Sequence, residues 1–433
     1  MTEHTHQQVT PRALRECPDC GLVQTIPRLV PGSAVTCSRC GAILRHTRSG
    51  SNLTPLALAL TSTVLFCIAV WSPFISVNIV GQIRDTTMIS LPNAFVDDGM
   101  WELGVVVVLT TVILPGVKIA ALLLTLLGLR TANPPSWLPL VYRQYRLVGP
   151  WAMVEVFLLG VFVAYTRLGA IATVEVGVAL YALGGLMLTM VLTDYLIDKE
   201  GLWEQLAGFG LGENTCATDA ARHKIGCETC FLLNDAPEGD RCLRCNSVLH
   251  ERKPNSTART WALLTAAVLA YLPANIYPVM NIERLGATAG STILGGAKEL
   301  LDAGMWPLAL LVLFASILVP AFKLLGLTFM LIETHRGSAW RLRDRTRLYR
   351  VIEFIGRWSM IDVFMLATLT GLVRSGKIAS ITPDFGALCF CSVVVLTMFA
   401  SASFDPRLMW DAATRRPAAA PARQPVPIQP RAA

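Results

Sequence analysis

The sequence predicts an all-α polytopic membrane protein: two repeated four-helix transmembrane units, eight spans in all, each preceded by a small cytosolic zinc ribbon. Three observations predict it. The 433 residues are 53% hydrophobic and only 15% charged, too apolar and too poor in charge for a soluble protein of this length. The chain repeats: Met100-Trp101 returns as Met305-Trp306, Pro115 as Pro320 and Lys118 as Lys323, each at a shift of 205. Eight of the twelve cysteines form four Cys-x-x-Cys pairs, two ahead of each unit.

Residues 1–50 form the first ribbon. Cys17 and Cys20 are followed, after a strand-like stretch, by Cys37 and Cys40, with Gly21 and Gly41 flanking. Two such knuckles set four thiolates tetrahedrally around one Zn²⁺, and four pairs in two ribbon spacings favour metal over a redox dithiol. No signal-peptide core occurs here, so the first span is expected to direct insertion itself. Residues 51–198 are the first transmembrane unit, with spans near 53–78, 101–129, 149–167 and 173–195. Each is adequate for a hydrocarbon core of roughly 30 Å. Residues 199–258 are a linker and the second ribbon, Cys227, Cys230, Cys242 and Cys245. Residues 259–412 are the second unit, with spans near 260–280, 305–332, 352–373 and 384–402. The tail, 413–433, rich in Pro, Ala, Arg and Gln, reads as disordered.

The repeat extends to the third and fourth spans. Trp151, Met153, Glu155 and Phe157 match Trp358, Met360, Asp362 and Phe364 at a shift of 207, and Thr189 matches Thr397. Four spans per unit is an even number, so both halves share one orientation, related by an axis along the membrane normal. Segments on the amino-terminal side hold 28 Lys and Arg, those on the opposite side 6. That asymmetry places both termini and both ribbons in the cytosol, where thiolates also survive best.

Polar side chains inside the apolar segments mark candidate sites. In the second unit they are Ser316, Lys323, Ser359, Asp362 and Thr397; in the first, Thr111, Lys118, Glu155 and Thr189. Lys323 lies roughly 15 Å of helix from Glu333, too far for its stem to snorkel out. An ammonium near the bilayer centre costs at least about 2.5–3.5 kcal/mol, so it needs a partner or a wet cavity. A carboxylate on the third span of each unit, Glu155 or Asp362, is the natural partner. Two readings follow: a structural clamp, or a path for a polar group such as a lipid phosphate, the second favoured for the second unit. Pro115 and Pro320 free a backbone carbonyl near each lysine and could kink the helix. Trp101, Trp151, Trp306 and Trp358 read as interface anchors. No phosphate loop, nucleotide fingerprint or Ser/His/Asp arrangement occurs, so an enzyme or a nucleic-acid partner is not expected.

The pattern resembles the paraquat-inducible protein A family. The resemblance rests on the Cys-x-x-Cys ribbons, on residues 273–280, on Gly-Met-Trp with Pro-x-x-Lys downstream, on residues 358–364 and on residues 403–411, and it covers nearly the whole chain except the tail. It implies a Gram-negative inner-membrane subunit that moves phospholipid between that membrane and a periplasm-spanning MCE-domain tunnel, supporting envelope integrity. It also implies that the second-unit cluster is functional. In that reading Lys323 attracts a phosphate or pairs with Asp362, which could itself titrate. The zinc ions, two in all, are structural. The rival functions are a non-transporting scaffold or metal/redox sensor that anchors a partner, and a proton or ion channel.

Overall fold

The computed structural model describes residues 13–27, 29–48, 52–79, 82–168, 173–211, 224–284, 287–372 and 379–414. The predicted disordered tail beyond residue 414 lies outside them.

Two short hairpins carry the first four cysteines. β1 (Ala13–Glu16) pairs with β2 (Val23–Ile26), and β3 (Ala34–Thr36) with β4 (Ile43–His46). The first unit follows with α1 (Leu53–Trp71), β5 (Ile75–Ile79), β6 (Gln82–Thr86) and α2 (Ser90–Asp97). Next come α3 (Trp101–Val108) and α4 (Leu114–Gly128), joined by a π-turn over Leu109–Ile113. α5 (Leu138–Val148) then runs through a 3-10 turn into α6 (Val154–Leu168). β7 (Thr173–Val176), α7 (Val178–Leu196) and α8 (Lys199–Gly208) complete the unit. In the second ribbon β8 (Ile225–Gly226) pairs with β9 (Leu233–Asn234).

The second unit repeats this series element for element. It comprises α9 (Ser256–Ile276), β10 (Met280–Arg284), β11 (Ala287–Ser291), α10 (Ile293–Asp302), α11 (Trp306–Leu313) and α12 (Val319–His335). After these come α13 (Leu342–Gly356), α14 (Ile361–Leu372), β12 (Ala379–Pro383), α15 (Phe385–Ser403) and α16 (Arg407–Thr414). Even the π-turn returns, over Phe314–Leu318. The reason is local. Proline lacks an N–H and its ring collides with the carbonyl four residues back, so the helix widens by one residue just before Pro115 and Pro320. In the first half the carbonyl five residues before the proline finds another donor: Thr110 O accepts from the Met153 amide at 3.5 Å; in the second, the Tyr271 hydroxyl donates to the nearby Ile317 carbonyl at 3.4 Å.

Six helical segments among the described residues are long and apolar enough to cross a membrane: Leu53–Trp71, Trp101–Gly128, Leu138–Thr166, Val178–Leu196, Trp306–His335 and Phe385–Ser403. Their outward faces carry apolar side chains such as Leu310, 65% exposed, and Leu325, 72% exposed. The protein is a multi-pass membrane protein. α9 is as long as its counterpart α1, but Ser256, Thr257, Arg259 and Thr260 dilute its first turns.

The expected span ends need correction. Residues 75–78 and 280, expected at the ends of the first and fifth spans, lie instead in strands 75–79 and 280–284, each the centre of an antiparallel three-stranded sheet. The orders are β6-β5-β7 and β11-β10-β12. Both sheets lie at the helix ends remote from the ribbons. An alternating strand following an apolar helix without a polar break cannot be told from more helix by hydropathy alone.

The two halves meet along α6 and α14. Phe157 and Phe364, equivalent in the repeat, pack edge to face with centroids 5.5 Å apart and planes at 87°. Gly160 makes this approach possible: a Cβ there would stand 2.8 Å from the Phe364 Cβ and 3.1 Å from the Ile361 carbonyl oxygen. One apolar core runs through both halves at this seam.

The ribbons cross over. The first ribbon's core includes Trp410 and Leu342 of the second half, whereas the second ribbon's core merges with Tyr142, Tyr145 and Trp203 of the first. Asp19 accepts from Arg350 of α13 at 2.6 Å, while Arg15 pairs with Glu200 of α8 at 2.5 Å, so the first ribbon ties the halves together. Arg407 gathers Asp405 at 2.9 Å, Glu228 at 2.6 Å and Glu16 at 3.5 Å. Burial pushes the Asp405 carboxyl up, but the Arg407 guanidinium outweighs that and holds it below the usual carboxylate range.

Gly160→Leu is expected to open the α6–α14 seam and cost about 1–3 kcal/mol through overpacking. Gly184→Leu, where a Cβ would meet no heavy atom within 4 Å, should leave the melting temperature in detergent unchanged. Equal melting of the two variants would mean the seam is not tightly packed.

Candidate functional site

The two buried lysines occupy equivalent helices and meet different surroundings. Lys118 on α4 is 7% exposed, and its Nζ lies 2.7 Å from Oδ2 of Asp194 on α7. Tyr145 of α5 donates its hydroxyl to the other oxygen, Oδ1, at 2.5 Å. The partner is therefore not Glu155, as the sequence suggested. Glu155 begins α6, on a different helix, and is half-buried. An aspartate one residue inside the expected end of a span reads as an interface residue, so the sequence alone does not single out Asp194. Its short side chain meets Lys118 because α7, α1 and α4 pack side by side, with Ser62 donating to Thr189 at 2.9 Å just above.

Lys323 on α12 is fully buried, and its Nζ has no hydrogen-bond partner among the described residues. Its stem ends beside Gly356, where an added Cβ would stand 3.7 Å from Nζ. The repeat explains the vacancy. The ends of α7 and α15 correspond at a shift of 207, as do Asp198 with Asp405 and the buried Trp203 with Trp410. That register sets Ser401 opposite Asp194, and the Thr189–Thr397 register sets Ala402 there. Neither is charged.

Of the other second-half candidates, Ser316 and Asp362 meet: the Ser316 hydroxyl lies against Oδ2 of Asp362 and, at 2.6 Å, against the Val312 carbonyl oxygen. A hydroxyl has one proton, so it serves one of these acceptors at a time. Asp362 does not hydrogen-bond Lys323. The helix register places the lysine more than a turn past the π-turn that holds Ser316, so the two cannot be served by one short carboxylate. Ser359 is fully buried, its hydroxyl unpaired among the described residues, and Thr397 donates back to the Val394 carbonyl at 3.0 Å. Ser316 and Asp362 open on a cavity of about 40 Å³ whose remaining wall is mostly apolar, including Val312, Met365 and Phe390. In the first half, Thr111 donates to Val107 at 2.7 Å, as its counterpart Ser316 does to Val312.

The eight ribbon cysteines form two buried groups, Cys17, Cys20, Cys37 and Cys40, and Cys227, Cys230, Cys242 and Cys245, with sulfurs within 4.8 Å of one another in each. A tetrahedral ion with metal–sulfur bonds of about 2.3 Å sets its sulfurs about 3.8 Å apart, so both groups fit a metal ion. Gln24 donates to the Cys37 sulfur at 2.9 Å, a contact that favours thiolate.

A family model described as Paraquat-inducible protein A matches the chain twice, over residues 53–207 and 257–414. The chain belongs to the paraquat-inducible protein A family. It is 32% identical over 401 residues to Intermembrane transport protein PqiA of Escherichia coli, covering 91% of this chain and 95% of that protein. It is 27% identical over 423 residues to Lipophilic envelope-spanning tunnel protein A of Escherichia coli, covering 94% and 95%. A Probable intermembrane transport protein of Haemophilus influenzae is 26% identical over 417 residues, covering 92% and 96%. These relatives are named as transport proteins rather than enzymes. No solved structure matches the chain.

The contrast between the lysines is measurable. Lys118→Met strands Asp194, and because that carboxylate is 34% exposed the cost should fall below the fully buried range, at about 2 kcal/mol. Lys323→Met removes an unpaired ammonium and should leave the melting temperature unchanged or higher. A loss at Lys323 as large as at Lys118 would show that the second lysine is a clamp.

Proposed function

We propose that the protein is the inner-membrane subunit of an intermembrane lipid transport system, passing phospholipid between the inner membrane and an MCE-domain tunnel protein across the periplasm. The observation that carries this reading is the uncompensated Lys323. A buried cation left without a counter-ion is destabilising, and a membrane protein keeps one where a charged ligand supplies the missing charge. A lipid phosphate is such a ligand. Relatives bear the names of intermembrane transport and envelope-spanning tunnel proteins, which supports the reading.

In this account the chain crosses the membrane eight times, with α9 and the α13–α14 segment added to the six apolar segments on the strength of the repeat. Lys and Arg crowd the ribbon side, which sets both termini and both ribbons in the cytosol. Ser316, Lys323, Ser359, Asp362 and Thr397 form the transport cluster. Thr111, Lys118, Glu155 and Thr189 are its first-half counterparts, where Asp194 turns the lysine into a clamp. Zinc is the metal that suits four buried thiolates in each ribbon, and with no ligand position open its role is structural.

Photocrosslinking in cells with radiolabelled phospholipid tests the transport reading. A photoreactive residue at Val312, beside Ser316, should label strongly and lose that label in Lys323→Ala. One at Leu310, on the outer face of α11, reports bulk lipid. Labelling at Val312 no greater than at Leu310 favours a scaffold. Elemental analysis should find two zinc ions per chain, and one after Cys17→Ser with Cys37→Ser; a metal-free chain with intact ribbons contradicts the assignment.

A further inference from the structure

A second, larger space lies at the ribbon-side end of the bundle, where the halves face each other. It is a cleft of about 770 Å³, within the range of ligand pockets. The residues preceding α9 and opening α8 reach it from one end, and α5, α13 and α15 form its sides.

Its charge is unbalanced. Lys118, Arg146, Lys199, Lys253 and Arg357 line it, against two carboxylates, Asp194 and Glu353. Lys118 is committed to Asp194, and Lys253 donates to the Ala402 and Phe404 carbonyl oxygens at 2.7 and 3.3 Å. Arg146, Lys199 and Arg357 make no ion pair within 4 Å among the described residues, although Lys199 feels the charge of Asp194 and Arg357 that of Glu353. Arg146 lies over the Phe231 ring of the second ribbon at 4.9 Å, and Arg357 over Phe354 at 5.8 Å, so both guanidinium groups are held by aromatic faces with donors to spare.

The walls are also apolar. Leu147, Trp151 and Met398 line the cleft, and Trp151 packs on Phe399 with centroids 4.9 Å apart. Phe354, 59% exposed, offers a ring to whatever enters. Gly356 forms part of the wall, and behind it stands the unpaired Nζ of Lys323. A Cβ added at Gly356 would stand 3.6 and 3.7 Å from Lys323 Cε and Nζ, so the ammonium lies just behind the cleft wall rather than in it.

We propose that this cleft binds a phosphate-bearing ligand, the phosphate held by Arg146, Lys199 and Arg357 with Lys323 behind Gly356, and that it forms an entry vestibule for the phosphate headgroup of a lipid. Paired donors of guanidinium match phosphate oxygens, and the Trp151 and Phe354 walls suit the first carbons of an acyl chain. This inference rests on the transport reading but names a separate site, between the halves rather than within the second.

The test uses the full chain purified in uncharged detergent, with a photoreactive residue replacing Leu147. Three probes are compared: dansyl-acyl phosphatidylglycerol, the diacylglycerol of the same chains, and inorganic phosphate as competitor. Phosphatidylglycerol should label about tenfold more than diacylglycerol, and Lys199→Gln with Arg357→Gln should remove that excess. Arg357→Lys, which keeps the charge, should retain part of it. Displacement of the label by millimolar inorganic phosphate assigns the site to free phosphate, and resistance to it assigns the lipid headgroup. Equal labelling by diacylglycerol, or an excess unchanged in the double variant, overturns the proposal. A Val312 probe that still labels in that case shows that the transport reading stands without the vestibule; silence at both positions removes the two together.

Discussion

An ammonium inside an apolar bundle is the constraint from which the rest of the structure is most easily understood. It costs several kcal/mol unless something answers its charge. Duplication put one such group in each half, at Lys118 and Lys323, on helices that share a proline and a π-turn. The first half answers it from within, with the Asp194 carboxylate and the Tyr145 hydroxyl. The second half has Ser401 and Ala402 in that region and leaves Nζ unpaired. One copy thus spends its lysine on holding three helices together, and the other keeps a charge in reserve.

The remaining architecture supports that division. The seam of Phe157, Gly160 and Phe364 fixes the halves against each other through close contact, which gives the cleft above it stable walls. The ribbons are exchanged, the first resting on α13 and α16 and the second on α5 and α8. Arg350 donates both to Asp19 and to the Cys40 carbonyl oxygen, so α13, which ends at Gly356, is anchored to a loop of the first cysteine group. Loss of the ribbon fold would release that anchor.

Much of this was legible in the sequence. The duplication, both cysteine groups and the intramembrane lysines follow from spacing and from the cost of burying charge; the Ser316–Asp362 contact does not, because the sequence points Asp362 at Lys323. The first sheet was hidden because Ile75–Ile79 extends an apolar helix without a charged boundary, and the second because Met280–Arg284, with Asn281, Glu283 and Arg284, reads as the start of a loop. The Lys118–Asp194 pair was hidden because it joins residues 76 apart whose proximity depends on how α4 and α7 pack. The ribbon exchange and the basic cleft are tertiary facts of the same kind: Arg146, Lys199 and Arg357 look like ordinary membrane-edge cations until two halves bring them around one space.

The most direct measurement gives the second lysine the partner its twin already has. Ser401→Asp and Ala402→Asp set a carboxylate near Lys323, and phospholipid crosslinked at Val312 is then compared with the melting temperature. The account predicts labelling reduced about tenfold in at least one variant, with the protein equally or more stable, because the new ion pair relieves a buried charge and removes the ligand's counterpart. Full labelling in a variant that has gained stability would contradict it, since a neutralised Lys323 would then bind lipid as well as a free one.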